Sequence, residues 1–351
     1  MENKKDDHLN LALKFHGRNI ESDFDNVQLV HGVFSNVKVD EVDISASFAG
    51  YEFNQPFYIN GMTGGSSLSK EYNEKLTILA RETGLFMASG SMSVGLKDPD
   101  TLESFKVIRK LNPKGIVFAN LGAEKTLEDA KRACDILDAD GLQIHLNIAQ
   151  ELVMPEGDRE FGKWMANIEN IANNLGLPVV VKEVGFGMDR RAIKSLLDIG
   201  VKTVDISGKG GTNFARIENF RRNLEDKYDF LENYGNSTIV SLLEAQEYVD
   251  KNEILASGGV RNSMDILKAL SMGARSVGMA ARFLNLVDTK PIDKAIEEVN
   301  NWKYHIKSLM SLVGAKNIEE LKKIDLILSG DVKDWAVARN INWTSFANRS
   351  L

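Results

Sequence analysis

The sequence predicts a TIM-type (β/α)8 barrel with N-terminal and C-terminal extensions, and three observations carry that reading. Eight short β-like runs alternate with helical patterns between residues 57 and 279. The runs are almost continuously apolar, as strands of a parallel sheet are when helices cover them. Turn chemistry, often a glycine cluster, follows their C-terminal ends. An open doubly wound sheet is the competing architecture. Its dinucleotide fingerprint, Gly-x-Gly-x-x-Gly opening a helix after the first strand, is missing, and Gly185-Phe186-Gly187 is a fragment that comes late. The barrel is the economical solution.

The first four strands are read at Phe57-Tyr58-Ile59-Asn60, Leu85-Phe86-Met87-Ala88, Gly115-Ile116-Val117-Phe118-Ala119 and Gly141-Leu142-Gln143-Ile144-His145-Leu146. The last four are Pro178-Val179-Val180-Val181-Lys182, Thr203-Val204-Asp205-Ile206, Glu253-Ile254-Leu255-Ala256 and Ser276-Val277-Gly278-Met279. Helical patterns lie between them. Lys70 to Thr83 carries Leu76, Leu79 and Ala80 on one face and stops at Gly84. Leu127 to Leu137 stripes Leu127, Ala130, Cys134 and Leu137. Asp189 reads as the N-cap of a helix to Asp198, and Ser263 as that of a helix to Met272, ended by Gly200 and Gly273.

A single domain is expected, with residues 1–55 before the barrel, 56–290 forming it and 291–351 following as C-terminal helices. The first segment alternates in Val37-Lys38-Val39-Asp40 and Val42-Asp43-Ile44-Ser45 and is expected to cap the barrel bottom. Residues 213–236, with Arg216, Arg221, Arg222 and Asp226, form a charged insertion read as a lid or an interface. Paired Arg221-Arg222 reads as a solvated face or an oligomer contact.

Composition excludes several classes. The net charge of −7, from 43 basic and 50 acidic residues, argues against a nucleic-acid partner but leaves room for a small anion held by local cations. Cys134 is the only cysteine, so a disulfide framework and a Cys-rich zinc site are impossible, and a reducing, cytoplasmic setting is expected. The run Met1-Glu2-Asn3-Lys4-Lys5-Asp6-Asp7-His8 goes straight into charge and predicts no signal peptide. No apolar run approaches the roughly 18 residues of a membrane span, so no membrane partner is expected.

In a barrel the chemistry sits at the C-terminal ends of the strands. Strand one leads into Met62-Thr63-Gly64-Gly65, strand two into Ser89-Gly90-Ser91-Met92-Ser93, strand three into Asn120, and strand four into Asn147 and Gln150-Glu151. Strand five ends in Lys182-Glu183, and Ser207 and Thr212 follow strand six. Gly258, Gly259 and Arg261 follow strand seven, and Ala280-Ala281 strand eight. Loops seven and eight are the usual phosphate site of such barrels. Gly258-Gly259 would let backbone N–H groups approach phosphate oxygens, with Arg261 adding charge. Ordinary βα turns are the alternative; recurrence of the signal in both expected loops favours phosphate. Thr63, Ser93, Asn120, Ser207 and Thr212, with Lys182, suit a flat heterocycle. A lysine ending strand five can donate to a ring N1–C2=O edge and stabilise a reduced flavin. One phosphate pocket and no adenine motif point to FMN. His145 alternates with Gln143 and Asn147 on one strand face and reads as a pocket residue.

On these residues the chain resembles the type 2, FMN-dependent isopentenyl-diphosphate isomerases over nearly its whole length. The resemblance is carried by Lys4-Lys5-Asp6-Asp7-His8, Met62-Thr63-Gly64-Gly65, Gln143-Ile144-His145-Leu146-Asn147-Ile148-Ala149-Gln150-Glu151, Lys182-Glu183-Val184-Gly185, Asp205-Ile206-Ser207-Gly208-Lys209-Gly210-Gly211-Thr212 and Ser257-Gly258-Gly259-Val260-Arg261. It implies interconversion of isopentenyl and dimethylallyl diphosphate in isoprenoid biosynthesis. It also implies FMN, Mg²⁺, a reductant such as NADPH, and a homo-oligomer, tetramer or octamer. Position by position it implies that Met62, Thr63, Gly64, Ser93, Asn120, Lys182, Ser207, Thr212, Gly258, Gly259, Ala280 and Ala281 contact FMN. Gln150 is then the catalytic residue beside the alkene and Glu151 the magnesium ligand. Lys4, Lys5 and His8 form a diphosphate clamp, with His145 and Asn147 on the substrate side. The family opens that clamp with Arg-Lys; Lys4-Lys5 lacks the bidentate fork, so the clamp is expected to be looser.

The chemistry asked of such a site is consistent with this. A side chain of ordinary acidity protonates an unactivated alkene poorly. Reduced FMN is therefore the expected acid and base, while Gln150, a neutral amide, positions the alkene or relays protons. A 2-hydroxy-acid oxidase or dehydrogenase is the nearest alternative, but it needs a histidine base near an arginine after strand six, and Ser207-Gly208-Lys209-Gly210-Gly211-Thr212 has neither. A cysteine-nucleophile dehydrogenase fails because Cys134 lies on an apolar helix stripe. A flavin storage or sensor barrel would need neither Gln150-Glu151 nor the cationic N-terminus.

Overall fold

The eight apolar runs become eight parallel strands that close on themselves in a computed structural model, which describes residues 4–17, 22–222 and 226–350. They are β1 (Phe57–Ile59), β2 (Met87–Ala88), β3 (Val117–Gly122), β4 (Gly141–Leu146), β5 (Val179–Glu183), β6 (Thr203–Asp205), β7 (Glu253–Ser257) and β8 (Val277–Met279). Closure comes from β8 pairing with β1, Val277 beside Phe57 and Met279 beside Ile59. Every residue of β3 and β5 is buried, because one strand face meets the barrel interior and the other the helices.

The connecting helices start and stop where local chemistry dictates. Leu127–Leu137 opens on a capping box between Thr126 and Asp129. Arg190–Asp198 opens on the Asp189 side chain, which accepts from the Ala192 N–H. Ser67–Thr83 begins earlier than the apolar periodicity indicates, because the Ser66 hydroxyl caps the Ser69 N–H. The helix Ser263–Ser271 is capped by Asn262, not by the expected Ser263: the Asn262 amide oxygen accepts from Met264 and Asp265. Cys134 is buried on its helix stripe, and burial pushes its thiol up to about 12, which leaves it inert.

The N-terminal segment divides between the two ends of the barrel. The helix Lys4–Phe15 crosses the C-terminal ends of the strands, where Lys5, His8 and Ala12 line a cavity. The opposite end is closed by a hairpin, Ala46–Phe48 against Tyr51–Phe53. Phe48 stacks on Phe53 with ring centroids 4.6 Å apart and meets Tyr58 and Phe86. Phe118, Val180 and Leu255 complete this plug. Ala49 donates to Glu253 Oε2 at 2.8 Å, and Tyr51 Oη donates to the Asp140 carbonyl at 3.0 Å. The cap therefore lies just downstream of the alternating stretches, which form no strand. Val39–Glu41 is a 3-10 turn, and Val42 and Ile44 alternate because they pack inward between exposed Asp43 and Ser45.

The C-terminal extension is helical with one added strand. Its long helix, Ile292–Val313, sets Trp302 against Phe57 and Phe283. Leu326–Leu328 pairs antiparallel with Val27–Leu29, so the two extensions hold each other. Glu244, whose side chain is fully buried, accepts from Trp335 Nε1 at 2.9 Å and from Arg339 Nε at 2.8 Å. Burial raises its carboxyl, but these bonds and the Arg190 N–H outweigh that and hold it at about 2. Among the described residues no helix is long and apolar enough to cross a membrane.

The aromatic plug makes a quantitative test. Phe48→Ala leaves a cavity in a cluster that cannot collapse around rigid rings, and should cost about 3–5 kcal/mol of stability. Urea unfolding measures it; an unchanged midpoint would show that the hairpin is an ornament rather than the floor of the barrel.

Candidate active site

A cavity of about 810 Å³ opens at the C-terminal ends of the strands. Loops after all eight strands reach it, and the helices Lys4–Phe15 and Phe214–Arg221 cover it. One end is built from backbone. Gly258 has φ +94°, and a Cβ there would lie 1.9 Å from the Gly208 carbonyl oxygen. Gly259 has φ +71° and packs against the Gly210 backbone. The two glycine loops thus interlock, and the Thr238 hydroxyl is 2.7 Å from the Ser257 carbonyl and 2.6 Å from that of Gly258. Beside them the helix Ala281–Thr289 starts at Ala280, which has no side chain to cap it. Its first N–H groups, with the positive end of the helix dipole, suit a phosphate.

Arg261 lines this end, yet its guanidinium is already matched. Nη2 and Nη1 bond Asp25 at 2.6 and 2.9 Å, and Nε bonds Asp265 at 2.8 Å. It braces the loop against the N-terminal segment instead of standing as a free cation.

The expected ring of polar groups is only partly assembled. Met62, Ser93, Asn120, Lys182, Ser207, Thr212, Ala280 and Ala281 line the cavity. Thr63 and Gly64 stand behind Met62. The Thr63 hydroxyl donates to Ser69 Oγ at 2.8 Å, and Gly64 lies against the Phe105 ring. Lys182 is buried and donates to the Glu183 carbonyl at 2.6 Å. Burial pushes its ammonium down, against the opposing charges of Asp205 and Glu183. The Glu183 Oε2 accepts from the N–H groups of Val184, Gly185, Phe186 and Gly187. Burial nevertheless raises it to about 7.

The other end carries side chains. His145 Nδ1 lies 2.9 Å from Asn120 Oδ1, so Nδ1 bears the proton and Nε2 is left an acceptor. Burial first, then the cations Lys182, Lys5 and Lys125, push His145 down to about 3. It faces the cavity as a neutral ring. Asn147 Nδ2 donates to Glu151 Oε1 at 2.8 Å and lies 3.3 Å from Gln150 Oε1. The second oxygen of Glu151 accepts from the Asp158 N–H at 2.8 Å. Lys5 and His8 line the cavity, while the side chain of Lys4 lies outside the described residues.

The sequence reading missed Glu218. It sits on the covering helix with no exposed surface, accepts from Gln150 Nε2 at 3.0 Å, and lies 2.8 Å from His8 Nε2. Arg221 Nη1 reaches it at 2.5 Å. Burial raises its carboxyl, but hydrogen bonding and charge from His8, with Gln150 and Arg221, hold it below the usual range. Nothing in the spacing of a short, weakly amphipathic helix marks this glutamate as inward. Its neighbours are not the solvated face expected. Arg221 joins Glu218 and Glu156, and Arg222 bonds Asp226 and the Val153 carbonyl and lies over Tyr228, so both work within the chain.

Comparison with known proteins gives the family and the fold. The model of the FMN-dependent dehydrogenase family matches residues 95–327. The isopentenyl-diphosphate delta-isomerase of Staphylococcus epidermidis is 44% identical over 341 residues, covering 97% of each chain. That of Listeria innocua is 45% identical over 350 residues, 99% of this chain and 97% of its own. The chain belongs to the FMN-dependent, type 2 isopentenyl-diphosphate isomerase family. The fold is shared more widely. A mandelate oxidase variant with a brominated ligand superposes with a TM-score of 0.66 at 14% identity, covering 93% of this chain and all of that one. The flavin-binding domain of baker's yeast flavocytochrome b2 gives 0.64 at 20%, covering 91% and 79%.

Two tests of this isomerase-family site follow from its geometry. Gly258→Ala forces a Cβ into the Gly208 carbonyl in a left-handed conformation, and should weaken FMN binding about 10- to 100-fold, the equivalent of 1–3 kcal/mol of strain. Flavin fluorescence titration reads it, and wild-type affinity would rule the cradle out. His145 holds fewer protons folded than unfolded between its ordinary 6.5 and about 3, so its contribution destabilises the fold as pH falls through that window. Imidazole NMR should show it untitrated down to about pH 4; an inflection near 6.5 would contradict the buried, neutral ring.

Proposed function

We propose that this chain interconverts isopentenyl and dimethylallyl diphosphate, with bound FMN, Mg²⁺ and a reductant such as NADPH, acting as one catalytic unit. The observation that carries the reading is a single cavity with two unlike ends, one of them holding a neutral amide. One end is glycine backbone and an uncapped helix start. The other holds Lys5, His8 and Glu151, and Gln150 lies in the same wall.

The flavin site passes a simple fit test. A Cβ at Gly258 would strike the Gly208 carbonyl, so only glycine lets the two cradle loops pack, and Lys182 is a buried cation lining the same cavity. Met62, Ser93, Asn120, Lys182, Ser207 and Thr212 would hold the ring, and Gly258, Gly259, Ala280 and Ala281 the phosphate. Reduced FMN supplies an electron-rich acid–base partner that no side chain here can match. Magnesium would take Glu151 and otherwise diphosphate oxygens and water. That arrangement is normal for this ion and fits a site where, among the described residues, no three His, Cys, Asp or Glu side chains cluster.

The chain's own residues divide the remaining work. Lys5 and His8 would draw the diphosphate to the cavity mouth in a protein that is acidic overall. Gln150 is held from both sides, by Asn147 and by Glu218, so its amide is oriented rather than free to spin. Neutral His145 offers an acceptor and no charge. The helices Lys4–Phe15 and Phe214–Arg221 cover the cavity and exclude water, joined by His8 with Glu218 and by the edge-on rings of Phe15 and Phe220. A 2-hydroxy-acid dehydrogenase reading finds no histidine or arginine between Ser207 and Thr212. Exposed Phe34 and Phe230 support an assembly of several copies, which light scattering measures. A cytoplasmic setting fits the single buried thiol.

The deciding assay supplies protein with FMN, Mg²⁺, NADPH and isopentenyl diphosphate in deuterated water. Dimethylallyl diphosphate carrying solvent label is expected. Gln150→Ala should keep FMN and lose turnover by about 100-fold or more, the scale of a lost proton-transfer partner. A reduced, flavin-saturated sample that forms no product would overturn the reading, and oxidation of a 2-hydroxy acid instead would install the dehydrogenase.

A further inference from the structure

The glycine loops after β1, β6 and β7 all start from one buried carboxylate. Asp205, the last residue of β6, has no exposed surface. Its Oδ2 accepts from Tyr58 Oη at 3.0 Å and Asn60 Nδ2 at 2.8 Å. Its Oδ1 accepts from Ser257 Oγ at 2.7 Å and the Ser207 N–H at 3.1 Å. Each partner but Tyr58 begins a cavity loop. Asn60 precedes Gly61 and takes back its N–H at 2.9 Å. Ser207 has φ +29°, a conformation a non-glycine residue keeps only when its surroundings hold it there. Ser257 precedes Gly258. Four donors fill the four acceptor positions of a carboxylate, and an amide in its place would set N–H against N–H.

The same carboxylate sits beside Lys182, its register partner across β5 and β6. We propose that Asp205 is the positioning residue of the cofactor site, fixing three loops in their flavin-binding shape and serving as the buried counter-charge of Lys182. The proposal rests on the FMN reading above.

The groups facing Lys182 leave Asp205 in that role. Glu183, on the same strand, commits its carboxylate to the backbone of 184–187. His145 on β4 is neutral, and the cations Lys5 and Lys125 act on it from the N-terminal helix and the β3 loop. Tyr58 on β1 faces Asp205 and lines no part of the cavity. Burial lowers the Lys182 ammonium, and Asp205 is the strongest opposing charge.

Two substitutions separate positioning from mere structure because they act on the charge in opposite senses. Asp205→Asn removes the counter-charge. FMN binding, followed by flavin fluorescence across about pH 6 to 10, should weaken about 10- to 100-fold. The pH above which affinity falls should move down by roughly one to three units. Tyr58→Phe removes one donor and keeps the charge. It should weaken binding about threefold to tenfold and move that pH upward, since a carboxylate with one donor fewer attracts Lys182 more strongly. Loss of affinity in both variants with the pH onset unmoved would reduce Asp205 to a structural residue, and wild-type behaviour in Asp205→Asn would overturn the proposal. Should Asp205→Asn fail to fold by circular dichroism, Tyr58→Phe decides alone, and an onset that stays or falls rejects the counter-charge. If the wild-type chain itself binds no FMN, the cofactor reading fails first.

Discussion

A barrel interior lined by apolar strands can hold a carboxylate only if every one of its acceptor positions is filled, and that constraint organises the open end of this molecule. The four donors around Asp205 come from β1, β7 and the turn leaving β6. They are drawn to one point because an unmet buried carboxylate costs several times what any single hydrogen bond returns. The loops that leave those strands inherit the geometry. Gly208 and Gly258 can then pack backbone on backbone, which neither could do if its strand end were free to turn. The polar knot lies inside the barrel while the aromatic plug of Phe48, Phe53 and Phe86 fills its floor, so the site stands on a rigid base.

A second buried carboxylate does the corresponding work at the cavity mouth. Glu218 ties the covering helix to His8 of the N-terminal helix and to Gln150 after β4. These three pieces are distant in sequence. The same carboxylate thus both joins the two covering helices and orients the amide. A proton on Glu218 would weaken all of it, which is why its bonding to His8 and Arg221, strong enough to overcome burial, matters more than the distance of any one contact.

How much of this was legible in the sequence follows from the kind of signal each part leaves. All eight strands were readable because burial on both faces forces apolar runs, and their ends because turns need glycine or a cap. The left-handed turn of Gly258-Gly259 was readable for the same reason, since a glycine pair advertises backbone conformation directly. Side-chain direction leaves no such mark. Thr63 and Gly64 sit in the expected loop, but the Thr63 hydroxyl is taken by Ser69 and the Phe105 ring fills the space a side chain at Gly64 would need, a fact set by packing between helices. Arg261 was in the right loop too, and only the fold brings Asp25 across to occupy it. Glu218 and Asp205 were invisible as functional groups because an acidic residue in sequence looks solvated until its donors are assembled from other strands. The bottom cap was anticipated, but alternation alone could not tell an inward-packing coil from the hairpin that follows it.

The acidic surface and the proposed anionic ligands are reconciled by how the site divides its chemistry. At the glycine end the attraction is supplied by backbone N–H groups, which carry no net charge, add nothing to the balance of 43 basic and 50 acidic residues, and cannot be neutralised by a neighbouring carboxylate. Arg261 shows what happens to a side-chain cation in such a protein: two aspartates claim it. A phosphate cradle made of backbone is therefore the durable solution in an acidic chain. At the mouth the opposite logic holds. The proposed diphosphate would have to leave each turnover, and is better met by side chains on a helix at the cavity edge than by a rigid nest. Lys5 and His8 lie on the helix at that edge, which Glu218 ties to the covering helix through His8, so the proposed diphosphate would meet side chains held on joined helices.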